Sequence, residues 1–206
     1  MAINWTTLTG PKSVSGSVAN YVNRSDLPIN DILTEAEALI YQDLRTDDML
    51  VRTNITLLEG DASAALPADY LSLKTFRPYN YDGPMFYVPP DRLVEALDRN
   101  GNHSSGTPSA FSVMGKTMRF DVAADRDMSG VLFYYARPAP LSASNETNFL
   151  TEKFPSLLRY AMLYFAYEHM KDQALGQEYM AKYAGQLRSA RAVDDLNKMG
   201  MWFPGI

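Results

Sequence analysis

The sequence contains no cysteine and only two histidines among its 206 residues. The absence of cysteine excludes disulfides, thiolate metal sites and cysteine nucleophiles. No apolar run approaches the roughly 20 residues that a helix needs to span a bilayer, so we expect no membrane contact. Basic residues are also in the minority, with 19 Lys and Arg against 24 Asp and Glu. The net charge of −5 makes the chain a poor non-specific DNA binder.

The sequence also lacks the common patterns of catalytic and metal-binding sites. It has no Gly-rich phosphate loop with Lys-Ser or Lys-Thr, no His-Glu-x-x-His and no Gly-x-Ser-x-Gly. His103 lies in a Gly/Ser/Asn loop, and His169 ends an apolar helix without a partner histidine. The segment from Asp125 to Gly130 looks like the start of a calcium loop, but its twelfth position is Ala136 instead of glutamate. We therefore predict no catalytic residue, no metal and no cofactor.

The hydrophobic content of 46% predicts a packed core, and its periodicity divides the chain into three zones. Residues 13–45 carry apolar residues at helical spacing, with Glu35 and Glu37 among the polar residues assigned to the exposed side. Residues 49–137 contain short alternating runs separated by Gly and Pro, including a hairpin around Gly115 and Lys116. Residues 157–170 are apolar on nearly all sides, which predicts a buried central helix, and a long amphipathic helix follows.

The order of these zones predicts the fold class and the domains. Helices at both ends with strands between them imply that the two ends meet in space. We expect an α+β protein, in which N- and C-terminal helices build an α-helical bundle with an inserted small antiparallel β region. The predicted domains are a helical bundle of residues 1–48 and 138–199, a β domain of residues 49–137 and a C-terminal tail of residues 200–206.

The segment 138–150, with the sequence PAPLSASNETNFL, joins the β zone to the last helices. Its two prolines end the preceding strand because proline cannot donate a hydrogen bond to a ladder. Ser144, Asn145 and Thr147 are residues whose side chains start helices by accepting from free backbone amides. This segment is therefore predicted to be the junction between strands and helices.

Three tyrosines of the predicted central helix, Tyr160, Tyr164 and Tyr167, share one face by their i, i+4, i+7 spacing. One interpretation places them at the edge of the chain's own core. The other makes them a subunit interface, because tyrosine combines a large contact area with a polar end. The spacing is compatible with both.

The C-terminal tail contains a second candidate contact site, formed by Met201, Trp202, Phe203 and Ile206. Such an apolar cluster is unfavourable in water. It therefore either folds back on its own domain or inserts into a neighbouring protein, and its chemistry favours neither.

Several blocks of the sequence resemble, in the same order, the head-to-tail adaptor (connector) proteins of tailed bacteriophages. They are VANYVNRSDL at 18–27, AEALIYQDLR at 36–45, LPADY at 66–70, FYVPP at 86–90, GTP at 106–108, FYY at 133–135 and LSASNETNFL at 141–150. Each block is short, and their common order and spacing carry the resemblance. The Ser/Gly-rich first helix, with Ser13, Ser15, Gly16 and Ser17, departs from many members of that family.

The resemblance implies a structural virion protein, made in the bacterial host cytoplasm and placed at the head–tail junction. It implies a homo-oligomeric ring of twelve subunits that joins the portal protein to tail nozzle or fibre proteins. Genomic DNA would pass through the ring without specific binding, and the C-terminal segment would reach the portal. The alternative is a carbohydrate- or peptide-binding phage accessory module. An enzyme ranks third, since the sequence offers no site.

Overall fold

The structure of the protein is a computed structural model that describes residues 3–79, 85–93 and 103–200, with side chains of the last helix described to Ala192. The chain divides into two compact units. The helical unit comprises Met1–Asp48 and Pro138–Ile206, and the strand unit comprises Met49–Arg137. Each unit is described by itself below.

The helical unit is built around one buried helix. Its helices are α1 (Trp5–Thr9), α2 (Val18–Val22), α3 (Ile29–Asp43), α4 (Phe149–Lys153), α5 (Pro155–His169) and α6 (Gln173–Gly200). α2, α3, α4 and α6 all pack against α5, whose residues Leu157, Leu158 and Met162 are buried. The prediction of a buried central helix is thus confirmed, because a helix that is apolar all round needs neighbours on every side.

The first predicted helix is shorter than its apolar spacing indicates. α2 begins only after Ser17, whose hydroxyl accepts from the amide of Asn20 at 3.0 Å. It ends at Asn23, which adopts a left-handed conformation with φ of 60°. Upstream, Gly16 has φ of +90°, a conformation that interrupts a helix and that glycine adopts without strain.

The strand unit contains three sheets. Its strands are β1 (Leu50–Leu57), β2 (Ser63–Ala65), β3 (Tyr70–Pro78), β4 (Phe86–Tyr87), β5 (Ser105–Gly106), β6 (Ala110–Met114), β7 (Thr117–Phe120), β8 (Ala123–Ala124) and β9 (Met128–Ala136). The sheet orders are β1-β9-β3, β2-β7-β6-β4 and β5-β8. A short 3₁₀ turn, Asp47–Met49, precedes β1.

The predicted fold class, a helical bundle with an inserted small antiparallel β region, is wrong. The described residues form nine strands in three sheets against six helices, and the β4–β6 and β5–β8 pairs are parallel. β2, β5 and β8 consist of Ser, Ala and Gly, which have no strand signature of their own. These segments become strands through pairing with distant residues, so a reading of local patterns underestimates the β structure.

The two larger sheets share one core. The ring of Phe76 from β3 lies edge-on to Phe111 and Phe120 of the other sheet, with ring centroids 5.6 and 6.4 Å apart. β9 makes room for Phe76 at Gly130, where a Cβ would lie 2.6 Å from the ring. The predicted hairpin is confirmed, because β6 and β7 pair across Gly115, whose φ of +61° suits the first position of a type II′ turn.

Candidate interaction surfaces

The junction segment 138–150 is fixed to α3 by one buried carboxyl group. Glu37 is only 4% exposed, and its Oε1 accepts from the amide of Leu141 at 3.1 Å. The same oxygen accepts from Asn148 Nδ2 and from the Tyr41 hydroxyl, each at 3.4 Å. Burial raises the pKa of Glu37, against the opposing effect of these hydrogen bonds. The expectation that Glu37 lies on the exposed side of its helix is therefore wrong.

The remainder of the junction satisfies its own polar groups. Asn148 is the N-cap of α4: its Oδ1 accepts from the Thr151 amide, and its own amide donates to Thr151 Oγ1, which forms a capping box. Asn145 donates from Nδ2 to the carbonyl of Pro140 at 2.9 Å, which holds the turn closed. The N-terminal segment joins the same turn, since the Trp5 amide donates to the carbonyl of Glu146 at 2.8 Å. The junction is thus an ordered connection rather than a loose linker.

Two of the three predicted interface tyrosines contact a tyrosine of α6 in the same chain. Tyr167 is buried and stacks on Tyr179 with ring centroids 5.3 Å apart, and Tyr160 lies 6.2 Å from the same ring. Burial raises the pKa of Tyr167, and the neighbouring Tyr179 raises it further. Tyr164 is half-buried beside the ring of Phe165. These contacts bind α5 to α6, and a subunit contact through the half-buried parts of Tyr160 and Tyr164 stays a prediction.

α6 is also anchored to the C-terminal end of α3. The hydroxyl of buried Tyr183 donates to Asp43 Oδ2 at 2.8 Å. Arg191 donates to the carbonyl of the same aspartate, with Nε 3.2 Å from the oxygen. Burial, with the hydrogen bond to Asp43, raises the pKa of Tyr183 above its ordinary value. The start of α6 through Arg191 therefore has a defined position within the helical unit.

The tail residues Met201, Trp202, Phe203 and Ile206 lie outside the described residues. The backbone of α6 is helical up to Gly200. Pro155, the first residue of α5, lines a small pocket together with Ala190 of α6. α6 therefore reaches the N-terminal end of α5 at Ala190. Ten further residues at 1.5 Å each carry the chain about 15 Å onward before the tail begins.

The two acidic residues considered for metal binding have structural partners. Asp125 accepts from the Thr107 hydroxyl at 3.0 Å, and Asp127 accepts from the amide of Glu59 at 2.9 Å. His169 is exposed at the end of α5. Within the described part of the chain, no three His, Asp or Glu side chains come together as metal ligands. In the same residues, every helix is too short or too polar to traverse a lipid bilayer.

The strand unit exposes aromatic and aliphatic side chains that the sequence patterns did not single out. Phe86 is 59% and Tyr87 50% exposed on β4, and Val51 of β1 is 37% exposed. Tyr70 and Lys74 of β3 line a groove of about 570 Å³ with Tyr87. The block FYVPP at 86–90 was visible in the sequence, but exposure of its rings depends on the sheet. Phe86 and Tyr87 are adjacent in sequence, whereas Val51 lies apart from them on another strand.

Exposed apolar side chains are found in both units, among them Phe86 and Tyr87 of the strand unit and Tyr21 and Leu175 of the helical unit. The sequence profile of the SU10 adaptor protein family matches residues 12–201, which is nearly the whole chain. The chain therefore belongs to this family of phage head–tail adaptors, and the resemblance stated above is confirmed. A structural role in the phage particle follows from the family. No curated protein sequence matches the chain.

Proposed function

We propose that the chain is one subunit of a ring that joins the portal protein to the tail and surrounds the DNA channel. The family match supports an adaptor role, and the resemblance to connector proteins supports twelve subunits and contacts with tail nozzle or fibre proteins. The observation that carries the proposal is the anchored helix α6. It is held by Tyr183 and Arg191 and then continues for about 15 Å toward the apolar tail.

In this proposal the tail residues Met201, Trp202, Phe203 and Ile206 are the portal contact. A chain that stops after Met199 should fold but fail to attach to the portal, because its apolar anchor is gone. The measurement is the mass and symmetry of particles formed with the portal protein, together with circular dichroism of the shortened chain. The matched control is Tyr21→Ala, which changes an exposed aromatic residue elsewhere in the helical unit. If the shortened chain unfolded, the tail would belong to the core of its own chain and would not be the portal contact.

We also propose that the wall of the channel is neutral to acidic. Three basic side chains of the helical unit are paired with acidic ones: Lys182 with Glu178 at 2.6 Å, Arg24 with Asp26 at 2.6 Å, and Lys153 with Asp48. A wall that bound phosphates would release counterions and hold DNA tightly at low salt.

The isolated protein should therefore bind duplex DNA more weakly than the roughly 10⁻⁴–10⁻⁶ M of ordinary non-specific binders near physiological salt. Fluorescence anisotropy with varied salt measures this. Tight binding with a steep salt dependence would show that basic side chains gather on one surface. The ring would then hold DNA as a clamp and would not act as a passive conduit.

The groove between β3 and β4 favours a second function, binding of a carbohydrate or a peptide. Tyr70, Tyr87 and Lys74 combine aromatic surfaces with one cation in a concave site. Calorimetric titration with host-surface saccharides and short peptides tests this function. Saturable binding that Tyr87→Ala abolishes, without any ring in the presence of portal, would favour it over the connector.

A further inference from the structure

The strand unit has two opposite sides, each formed by one strand from each large sheet. β1 lies beside β2 on one side. β3 lies beside β4 on the other side, where residues of both strands line the same groove. The sheet orders β1-β9-β3 and β2-β7-β6-β4 place the remaining strands between these sides. An edge strand exposed on each side would give the unit two different surfaces for a neighbour.

β3 carries the features that prevent its outer edge from pairing. Its register with β9 shifts between Tyr70 and Ser72 and again between Leu73 and Thr75. It also contains Lys74 and Arg77, and it ends at Pro78. Bulges, charged side chains and proline are the usual means by which natural proteins block addition of a further strand.

β1 has an unprotected edge by the same criteria. All eight of its residues pair with β9 in one continuous register, from Leu50 opposite Tyr135 to Leu57 opposite Met128. It contains no proline and one charged residue, Arg52. Among the described residues, its backbone pairs with β9 alone. Because alternate residues of an antiparallel strand direct their N–H and C=O groups away from the partner, half of β1 is available to another strand.

Among the residues that the structure describes, β4 is an edge strand on the opposite side of the unit, and it pairs with β6 alone. The amide of Phe86 donates to the carbonyl of Ser109, just before β6, at 2.9 Å, and the amide of Val88 donates to the carbonyl of Phe111 in β6 at 2.8 Å. The backbone N–H and C=O of Tyr87, which lies between them, therefore face away from β6. Phe86 and Tyr87 are also the two most exposed aromatic side chains of the described residues. An edge with open backbone groups and exposed rings is suited to a protein partner.

We propose that the strand units of neighbouring subunits associate head to tail, with β4 of one subunit adding to the outer edge of β1 of the next. The two edges lie on opposite sides, so each subunit offers both halves of the contact, and such a heterologous contact closes into a ring when the rotation per subunit divides a full turn. The added strand would bury Phe86 together with Val51, the exposed apolar residue of β1. This inference rests on the ring proposed above and assigns one of its subunit contacts. A symmetric β1–β1 contact would leave Phe86 exposed and would end at dimers.

Cysteine cross-linking tests the contact directly, because the natural chain has no cysteine. The full chain with both Val51→Cys and Phe86→Cys is mixed with portal protein and treated with a short bismaleimide cross-linker. We expect a ladder of dimers, trimers and larger species. Each single variant alone should stay uncross-linked, and a mixture of the two single variants should give one dimer band. Dimers from Val51→Cys alone, or no ladder from the double variant within an assembled ring, would overturn the proposal.

A second measurement uses charge instead of cross-links. Phe86→Lys and Val51→Lys change exposed side chains, so both variants should fold, and each should weaken subunit association at least tenfold. Leu175→Lys is the control, since it changes an exposed residue of α6. Mass measurement distinguishes the two proposals. A ring that forms equally well with all three variants overturns the strand contact and leaves the connector intact, whereas a wild-type chain that never forms a ring overturns both.

Discussion

Replacement of Glu37 tests how the junction segment is held on α3. Its Oε1 is the acceptor for the Leu141 amide at 3.1 Å and for Asn148 Nδ2 at 3.4 Å. Glu37→Gln keeps an acceptor oxygen at the same place and removes the ionisable group. Glu37→Leu removes the acceptor and fills the same buried space with an apolar side chain. The two variants therefore separate hydrogen bonding from charge.

The expected magnitudes follow from the two kinds of loss. A buried donor without an acceptor costs about 1–3 kcal/mol, so Glu37→Leu should be less stable than Glu37→Gln by about this amount. The Leu141 amide should also exchange its hydrogen faster in Glu37→Leu. Glu37→Gln should lie within about 1 kcal/mol of the natural chain at pH 7, because it preserves the hydrogen bond and avoids burial of a charge.

The difference in stability between the natural chain and Glu37→Gln should change with pH in a definite direction. Burial raises the pKa of folded Glu37 above its ordinary value of 4.5. A group with a raised folded pKa contributes stability that is fully present below its unfolded pKa and is lost as pH rises through the folded pKa. From pH 4.5 upward, the natural chain should therefore lose stability relative to Glu37→Gln, by at most about 1.4 kcal/mol per pH unit.

Urea unfolding followed by far-ultraviolet circular dichroism between pH 4.5 and 7.5 measures these differences. Comparison with Glu37→Gln at each pH removes the contributions of all other titrating groups. A natural chain that gains stability over Glu37→Gln as pH rises would show that the carboxylate is stabilised where it lies. Equal stability of the Leu and Gln variants would show that the junction does not depend on this acceptor.

Two further predictions concern packing and anchoring. Gly130→Ala should destabilise the strand unit by about 1–3 kcal/mol in urea unfolding, because its Cβ would lie 2.6 Å from the Phe76 ring, whereas Gly185→Ala in open space on α6 should be neutral or stabilising. Equal effects would contradict the close approach at Gly130. Tyr183→Phe should lower stability by about 1.5–3 kcal/mol in thermal unfolding, because the hydrogen bond to Asp43 is lost. Tyr164→Phe is the control, since the Tyr164 hydroxyl has no hydrogen bond among the described residues. Equal losses of stability in Tyr183→Phe and Tyr164→Phe would show that the hydrogen bond of Tyr183 does not anchor α6.

Patterns over long stretches of sequence predicted the elements that owe their structure to local composition. The apolar residues 157–170 led to the buried helix α5, and Gly115 with Lys116 led to the β6–β7 hairpin. In both cases the neighbouring residues along the chain carry the signal, as helical periodicity or as a turn. Membership of the adaptor family was likewise visible, because the order of short sequence blocks extends over most of the chain.

The position of Glu37 was misjudged from its residue type. Its neighbours Leu33, Ile40 and Tyr41, at i−4, i+3 and i+4, are buried and share its face of α3, but a charged side chain is normally exposed. The structure buries it because Leu141 and Asn148, more than 100 residues away in the chain, bring donors to its carboxyl group. The signal that could have found it is the junction itself, whose backbone amides required acceptors from another element.

The sequence by itself determined the class of protein, through the order of its short blocks and their resemblance to a family. It also determined the absence of thiol chemistry and the helical character of both ends, because these depend on composition and local period. Only the tertiary structure decided how much of the chain is strand. β5 and β8 are two residues each and become a sheet only by pairing with each other. It also decided which edges stay open, since β1 and β3 both flank β9 and differ in the bulges that pairing reveals. Pairing between distant residues leaves no periodic trace in the sequence, and for that reason the surfaces offered to a neighbouring subunit emerge only in the folded chain.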